Sequence, residues 1–433
     1  MEVTVLVLVA AALFGWGLVS ARLERAYLTA PIVFVALGAL AAWTGLIDAP
    51  DATAQLTPLV EITLVWVLFS DAARLPLSDL RRDVGRYVRL LGIGLPLTML
   101  LGAALAAWFF PGLGVWMAVF LGAALAPTDA ALGVPVVTNP VVPSRVRELI
   151  TVESGLNDGI ATPVVMVAIS GAAVAAGLEG HEGAGRAVVQ LLLGAAVGVA
   201  LGAVGGWLLK EARRRGLAAE EFTGISVLAL ALLAYSVALL AGGNGFVASF
   251  CGGLAFGACA GRRAPEELVF LEQMGGLVSL LVWLAFGAIA LPIMVDRVDA
   301  LVVLYAVLSL TVVRMLPVAV ASIGAHLDRR TVLFVGWFGP RGLASLVFAL
   351  LALEALGRSA DEAIAVVAVT VLLSVVAHGL SAGGLAARYG RAMGDVDPDD
   401  PGGARPRPPT APGATAVVGE GRTEPRVPGA PGA

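Results

Sequence analysis

The sequence predicts an all-α polytopic membrane protein, and three observations carry this prediction. Of its 433 residues, 58% are hydrophobic and only 14% are charged, whereas an ordinary soluble domain has about 25% charged residues. The mean hydropathy is +0.90. Apolar runs of about 20 residues recur along most of the chain, and each is long enough to cross a hydrocarbon layer about 30 Å thick. A membrane β-barrel would instead show segments of about ten residues with alternating polarity.

The apolar runs predict about thirteen transmembrane helices. Their predicted ranges are 3–20, 27–47, 56–75, 87–110, 112–139, 147–177, 187–209, 222–241, 245–261, 266–295, 299–322, 331–356 and 361–387. The fifth, sixth and tenth ranges are long enough for a tilted or interrupted helix. They predict a transmembrane domain over residues 1–392, with core helices at about 87–177 and 299–387.

The distribution of basic residues predicts the orientation of the chain. Alternate loops hold seventeen Lys and Arg residues, whereas the other loops hold only Arg186, Arg297 and Arg358. Because short basic loops stay in the cytoplasm, we expect the N-terminus outside and the C-terminus inside the cell. Residues 393–433 are rich in Pro, Gly and Ala with few large apolar side chains, so we expect a disordered cytoplasmic tail.

Charged residues deep inside the predicted spans indicate a function. Three are acids, Asp129, Glu153 and Asp158, and two are basic, Arg314 and Arg341. Each would cost at least about 2.5 kcal/mol at the bilayer centre if it faced lipid, so each must face a partner, a cavity or an ion. Structural ion pairs account for two acids with two arginines. The third acid has no basic partner.

Depth along the helices suggests which acid is in excess. Glu153 and Arg314 lie at similar depths and are expected to form a structural ion pair. Asp158 lies near the midplane, and its separation of five residues from Glu153 turns it about 140° around the helix. Asp158 is therefore expected to remain free for a mobile cation.

Two interrupted helices predict where the cation binds. Pro127, Thr128 and Asp129 interrupt the fifth span, and GPRG at residues 339–342 interrupts the twelfth. Proline frees a carbonyl, which the membrane tolerates only where protein or a cavity satisfies it. The two spans are seven apart, which predicts two inverted six-helix repeats with broken crossing helices at mid-membrane, an arrangement typical of transporters. Asp129 and Arg341 are each expected to offset the partial charges of helix ends at their own break.

The polar residues near the first break predict an oxygen-lined site. Thr128, Ser154, Asn157 and Asp158 offer hydroxyl, amide and carboxylate oxygens. Such a site with one net negative charge suits a monovalent cation and has too few carboxylates for a strong divalent-ion site.

Four motifs resemble a known family. APTDAALG, ESGLNDGIATP and GPRGLAS, in this order and spacing, together with TVLLSVVAHGLSA near residue 370, resemble the signature of NhaP/NHE-type monovalent cation:proton antiporters, the sodium/hydrogen exchangers. The resemblance covers roughly residues 1 to 390. It implies a secondary active transporter, not an enzyme, that exchanges Na⁺ (or Li⁺ or K⁺) for H⁺ in pH homeostasis. It also implies a homodimer in the cell (inner) membrane, whose core domain moves past a dimerisation domain, with no cofactor and no nucleic acid partner.

The resemblance also implies roles for individual residues. Asn157 and Asp158 are similar to the family's ion-binding pair, in which Asp158 carries either the cation or a proton. Members with Asn at the first position are usually electroneutral, exchanging one cation for one proton. Two further matches are the unwound-helix pair and the structural ion pair, that is, Thr128 with Asp129 and Glu153 with Arg314.

Asp129 and Asp71 are further candidate ligands of the cation, and Asp71 lies near the position where many relatives have a glutamate. The alternative is a polar cap near the cytoplasmic end of the third span. His181 and His326 lie in predicted loops, and His378 in the thirteenth span is expected to be hydrogen-bonded packing or a pH sensor.

Three alternative functions remain open from the sequence. A potassium-selective cation:proton antiporter would use the same oxygen ligands. A cation channel could use a buried aspartate, but it gains little from two broken repeats. An intramembrane aspartyl protease could use two membrane aspartates, but the sequence has no GxGD motif.

Overall fold

The described structure is helical from end to end. The computed structural model describes residues 3–25, 28–46, 49–75, 80–129, 131–178, 184–261 and 264–393, and it has no strand within them. The α-helices in chain order are α1 Val3–Arg25, α2 Ala30–Trp43, α3 Ala49–Ala73, α4 Leu80–Arg89, α5 Leu95–Phe109, α6 Gly114–Ala124, α7 Val134–Val137, α8 Ser144–Ala175, α9 Ala184–Arg214, α10 Glu220–Leu240, α11 Gly245–Ala260, α12 Ala264–Arg297, α13 Ala300–Leu310, α14 Val312–Ala321, α15 Arg329–Trp337, α16 Leu343–Leu356 and α17 Asp361–Met393. A π-helical turn, Leu90–Gly94, joins α4 to α5.

The prediction of an all-helical membrane protein is confirmed. Eight helical segments of the described chain are long and apolar enough to cross a membrane, and three shorter helices are also apolar. Eight is fewer than thirteen partly because α16 and α17 form one segment, Leu343–Met393. Met393, the first residue of the predicted tail, is the last residue of α17, whereas residues 394–433 and His181 lie outside the described residues.

Side-chain caps set the start of three helices. Asn244 accepts a hydrogen bond from the amide of Val247 at 3.0 Å, and Asp299 accepts one from Val302 at 2.8 Å. Asp328 accepts one from Arg330 at 3.2 Å at the start of α15. These bonds satisfy amide groups that have no partner inside the helix. The starts of α11, α13 and α15 therefore follow from local sequence.

Glycines allow α3, α9 and α11 to approach one another closely. Gly198 on α9 faces the backbone of Ala248 on α11, and Gly253 on α11 faces the carbonyl of Phe69 on α3. A Cβ atom at either glycine would overlap that backbone. Since lipid provides no hydrophobic force between helices, such close packing is a main source of their association. The packing holds α3, which carries Asp71, against α11.

The two interrupted helices lie in the middle of the bundle and touch each other. Residues 120–128, at the end of α6 and in the break that follows it, are all buried, as are Leu343–Ala352 of α16. A helix that is apolar on all sides is typically packed on all sides. Residues 338–342 form the second break. The breaks meet where the amide of Asp129 donates to the carbonyl of Pro340 at 2.8 Å.

A third interruption was not predicted. The continuous helix expected at 299–322 is divided at Thr311 into α13 and α14, with backbone angles φ −108° and ψ −85°. The Thr311 hydroxyl donates to the carbonyl of Val307 at 2.6 Å, a bond that bends helices. Pro317 inside α14 lacks an amide hydrogen and frees a carbonyl one turn earlier. The interruption comes three residues before Arg314.

Candidate functional site

Three buried side chains connect the first break to α8. The amide nitrogen of Asn157 donates to the hydroxyl oxygen of Thr128 at 2.7 Å, and the hydroxyl oxygens of Thr128 and Ser154 are 2.9 Å apart. Their exposed fractions are 1%, 2% and 4% for Asn157, Thr128 and Ser154. Ser154 and Asn157 are three residues apart, so they share one face of α8. The structure therefore brings these three predicted site residues together.

Asp158 follows this cluster on α8 and is 8% exposed. Its Oδ1 atom, and the Oδ1 atom of Asn157, have no hydrogen-bond donor among the described residues. The hydroxyl of Thr162 donates to the main-chain carbonyl of Asp158 at 2.7 Å and so does not occupy its carboxyl group. A buried carboxylate oxygen without a partner is costly, so it favours binding a proton or a cation. The two open oxygens belong to adjacent residues of α8.

Asp71 reaches the same part of α8 from α3. A Cβ atom at Gly155 would lie 3.7 Å from the main-chain oxygen of Asp71 and 3.8 Å from its Cβ. Asp71 is half-buried, and Arg74, one turn later, pairs with Glu272 of α12. The α3 segment at Asp71 therefore packs on the turn of α8 that leads to the cluster.

Glu153 and Arg314 form a buried, two-pronged ion pair. The Nη1 atom of Arg314 donates to Oε1 of Glu153 at 2.5 Å and its Nη2 atom donates to Oε2 at 2.9 Å. The side chains of Arg314 and Glu153 are 3% and 5% exposed. Nη2 also lies 3.4 Å from the carbonyl of Val335. Both carboxylate oxygens are engaged, and the pair joins α8 to α14 and α15.

The charges at the two breaks are exchanged relative to the expectation from sequence. Arg341 of the second break donates to the carbonyls of Ala126 and Pro127, the latter at 3.0 Å, beyond the carboxyl end of α6. Asp129 of the first break accepts from the amide of Leu343 at 3.1 Å, at the amino end of α16. Each charge thus offsets a helix end at the other break. The two breaks contact each other, so a partial charge of opposite sign on the neighbouring helix lies within hydrogen-bond distance.

The glycines on either side of Pro340 and Arg341 make this crossing possible. A Cβ atom at Gly342 would overlap the carboxylate of Asp129. A Cβ atom at Gly339 would overlap the guanidinium of Arg314 and lie 3.0 Å from the methyl group of Thr128. The small residues of the GPRG motif therefore admit the site side chains into the second break.

A polar face of α17 contacts the second break, and sequence reasoning did not assign it to the site. Ser374, His378 and Ser381 contact Arg341 or Trp337. The first two are fully buried, at 0% and 1% exposed for Ser374 and His378. Their spacing of four and three residues places them on one face. That spacing inside an apolar span is the signal that could have found them.

The donor set defines the chemistry of the site. It consists of two hydroxyls, one amide oxygen and the carboxylate of Asp158. The part of the chain that the structure describes holds no group of three or more His, Cys, Asp or Glu side chains arranged for a metal ion. One negative charge among neutral oxygens suits a weakly bound monovalent cation more than a divalent one.

Comparison with known proteins identifies the family of this chain. The family described as "Sodium/hydrogen exchanger, transmembrane" matches residues 8–388. The chain belongs to the sodium/hydrogen exchanger family. This confirms the resemblance found in the four motifs.

The individual relatives have low sequence identity to this chain, and the three described next are all named as cation:proton antiporters. The K(+)/H(+) antiporter NhaP of Alkalimonas amylolytica is 27% identical over 340 residues, covering 77% of this chain and 57% of that protein. The K(+)/H(+) antiporter NhaP2 of Shewanella baltica is 25% identical over 356 residues, covering 81% and 60%. A probable Na(+)/H(+) antiporter of Schizosaccharomyces pombe is 26% identical over 354 residues, covering 74% and 46%. The chain thus spans about half to three-fifths of the length of these relatives.

A solved structure supports the fold. The sodium proton antiporter MjNhaP1 of Methanocaldococcus jannaschii matches with a TM-score of 0.73 at 21% identity, covering 88% of this chain and 97% of that chain. At this identity the match supports the fold alone.

Proposed function

We propose that this chain is a secondary active transporter that exchanges a monovalent cation for a proton across a membrane. The observation that carries the proposal is the buried carboxylate of Asp158, whose open Oδ1 lies one residue from the open amide oxygen of Asn157. A group that accepts either a cation or a proton, but not both, couples the two movements. Membership in the sodium/hydrogen exchanger family supports this role.

We assign the cation to Asp158, Asn157, Thr128 and Ser154, with Asp71 as an additional ligand from α3. The contacts that support this set are the hydroxyl and amide bonds between α8 and the first break. Asp129 is not included in this ligand set, because its Oδ2 atom already accepts a hydrogen bond from an amide of α16. Its proposed role is to hold the crossing.

Sodium is the first candidate for the transported cation, because the family description and the name of the M. jannaschii protein both specify it. Potassium is the second candidate, because the relatives from A. amylolytica and S. baltica are named K(+)/H(+) antiporters. All candidates use the same oxygen ligands, so the choice depends on small differences in cavity size.

The proposed architecture adds spans, repeats and an orientation to the helices that the structure describes. It has thirteen spans, in which spans one to six and eight to thirteen form two inverted six-helix repeats joined by span seven, and residues 1–392 form the transport domain. Basic loops favour an outside N-terminus and a cytoplasmic C-terminus, and the proposed location is the cell membrane. A homodimer, in which a core domain moves against a dimerisation domain, completes the proposal.

Exchange in proteoliposomes tests the function. The purified chain is reconstituted with a pH-sensitive dye inside the vesicles, and Na⁺, Li⁺ or K⁺ is added outside. We expect cation-driven alkalinisation of the lumen with the wild type and none with Asp158→Asn. The matched control is Asp361→Asn, a partly exposed aspartate 4.0 Å from Arg297, which should exchange normally. Absence of exchange by the wild type with all three cations, or full exchange by Asp158→Asn, would overturn the proposal.

A further inference from the structure

Two buried residues of α17 hold both ends of the second break. The amide of Arg341 donates to the hydroxyl of Ser374 at 2.7 Å. Four residues earlier in the chain, the carbonyl of Trp337 lies 2.9 Å from Nε2 of His378. The two bonds bracket residues 338–340. These two bonds therefore connect α17 to Trp337, the last residue before the break, and to Arg341 within it.

The hydrogen bonds between these groups form one continuous chain. The Arg341 amide can only donate and the Trp337 carbonyl can only accept, so the direction is fixed at both ends. Ser374 accepts from Arg341, and its own hydroxyl hydrogen can point at Nδ1 of His378, 3.1 Å away. Nε2 of His378 then donates to Trp337. In this tautomer Nδ1 is an acceptor, so its approach to the Ser374 carbonyl at 2.8 Å is not a hydrogen bond, and the ring is held through the Ser374 hydroxyl and the Trp337 carbonyl.

This chain of bonds leads to the cation site through Arg341. The Arg341 guanidinium is fully buried and donates to the carbonyls of Ala126 and Pro127. Pro127 directly precedes Thr128, whose hydroxyl holds Asn157. A shift of the Arg341 backbone would therefore move the carbonyls beside the site.

We propose that His378, acting through Ser374, is a positioning residue for cation binding. It fixes the second break, and thereby Arg341, so that the first break keeps the shape that Thr128 needs. The inference rests on the proposed function, since it deepens the account of the same site. His378 touches no cation ligand, so its removal should weaken cation binding while the transport step remains.

Paired substitutions separate the two hydrogen bonds of the ring. His378→Gln keeps a donor near the position of Nε2, whereas His378→Leu removes both ring nitrogens. Ser374→Ala removes the acceptor for the Arg341 amide together with the hydroxyl that faces Nδ1 of His378. The matched control is Thr370→Val, because Thr370 is also fully buried on α17 and its hydroxyl bonds only to Val366 of the same helix.

The measurement is the KM for sodium and the maximal rate of exchange in proteoliposomes, with direct sodium binding by calorimetry. We expect His378→Leu and Ser374→Ala to raise KM about tenfold, as when a buried group loses its hydrogen bond, with a maximal rate within about twofold of wild type. His378→Gln should restore most of the affinity, and Thr370→Val should match the wild type. The double variant, Ser374→Ala with His378→Leu, should have a KM no higher than that of the more impaired single variant, because both substitutions act through one chain of bonds.

Several results would overturn the inference. One is an unchanged KM in Ser374→Ala and His378→Leu; another is a lower maximal rate at constant KM, which indicates packing alone. If His378→Leu does not fold, Ser374→Ala and His378→Gln decide the question by the same criteria. The proposed function fails separately, through loss of exchange in the wild type, so the two failures are distinguishable.

Discussion

Breaking the ion pair between Glu153 and Arg314 should lower stability more than it alters cation preference. Glu153→Gln keeps the size of the side chain but leaves the Arg314 charge without a counter-charge in a site where it is 3% exposed. Loss of one partner of a buried pair costs about 3–5 kcal/mol. Since native proteins are stable by only about 5–15 kcal/mol, this is a large share of the total.

The assay is thermal unfolding in detergent, followed by tryptophan fluorescence, with and without sodium. The control is Glu211→Gln, which removes a carboxylate from an exposed cluster with Arg214 and Arg215 and should leave Tm unchanged. A double variant, Glu153→Gln with Arg314→Met, should recover part of the lost stability, because it removes the uncompensated charge. A stable Glu153→Gln protein with an altered sodium affinity would refute the reasoning and show that Glu153 is a ligand.

Three further predictions follow from the site. If Asp158 holds either a cation or a proton, the two compete for one carboxylate. The apparent sodium affinity should then fall about tenfold per unit of pH in the acid range where this carboxyl group is protonated. Sodium titrations by calorimetry at several pH values measure this dependence. Gly342→Ala should abolish exchange, because the added Cβ atom displaces Asp129 from the Leu343 amide. Its control, Gly379→Ala, should exchange like the wild type, because no atom lies within 4 Å of the added Cβ. Flux in proteoliposomes compares the two variants. One-for-one exchange moves no net charge, so its rate should not change when the membrane potential is clamped with potassium and valinomycin, and a steep voltage dependence would contradict it.

Much of the fold was predictable because membrane helices must satisfy their own backbone. Length and apolar composition therefore identify most spans, and proline identifies the interruptions at Pro127 and Pro340. The division at Thr311 was missed, because a threonine that bonds one turn back is common in intact helices. Span edges were also imprecise: α3 begins at Ala49, and the prediction began it near residue 56.

The sequence predicted how deep the site residues lie in the membrane, but it did not predict their positions within the membrane plane. Depth suggested Glu153 and Arg314 as partners, and the structure pairs the same two residues. Depth could not show which neighbour faces Asp129 or Arg341, since residues at one level can lie on any side of the bundle. The exchange of these two charges between the breaks depends on how the helices cross, and sequence periodicity does not contain that angle.

The crossing has a consequence for the charge of the whole site. Arg341 and Asp129 carry opposite charges and offset opposite helix ends, so the pair of breaks is neutral. Glu153 and Arg314 neutralise each other within one ion pair. Among the five deep charges, the one without a fixed counter-charge is then Asp158, and Asp71 of α3 packs against α8 at Gly155. A cation or a proton on Asp158 gives the same net charge, so the two loaded states are electrostatically alike. That equivalence lets one protein conformational change carry either ion, and it is the physical basis for expecting exchange that the membrane potential does not drive.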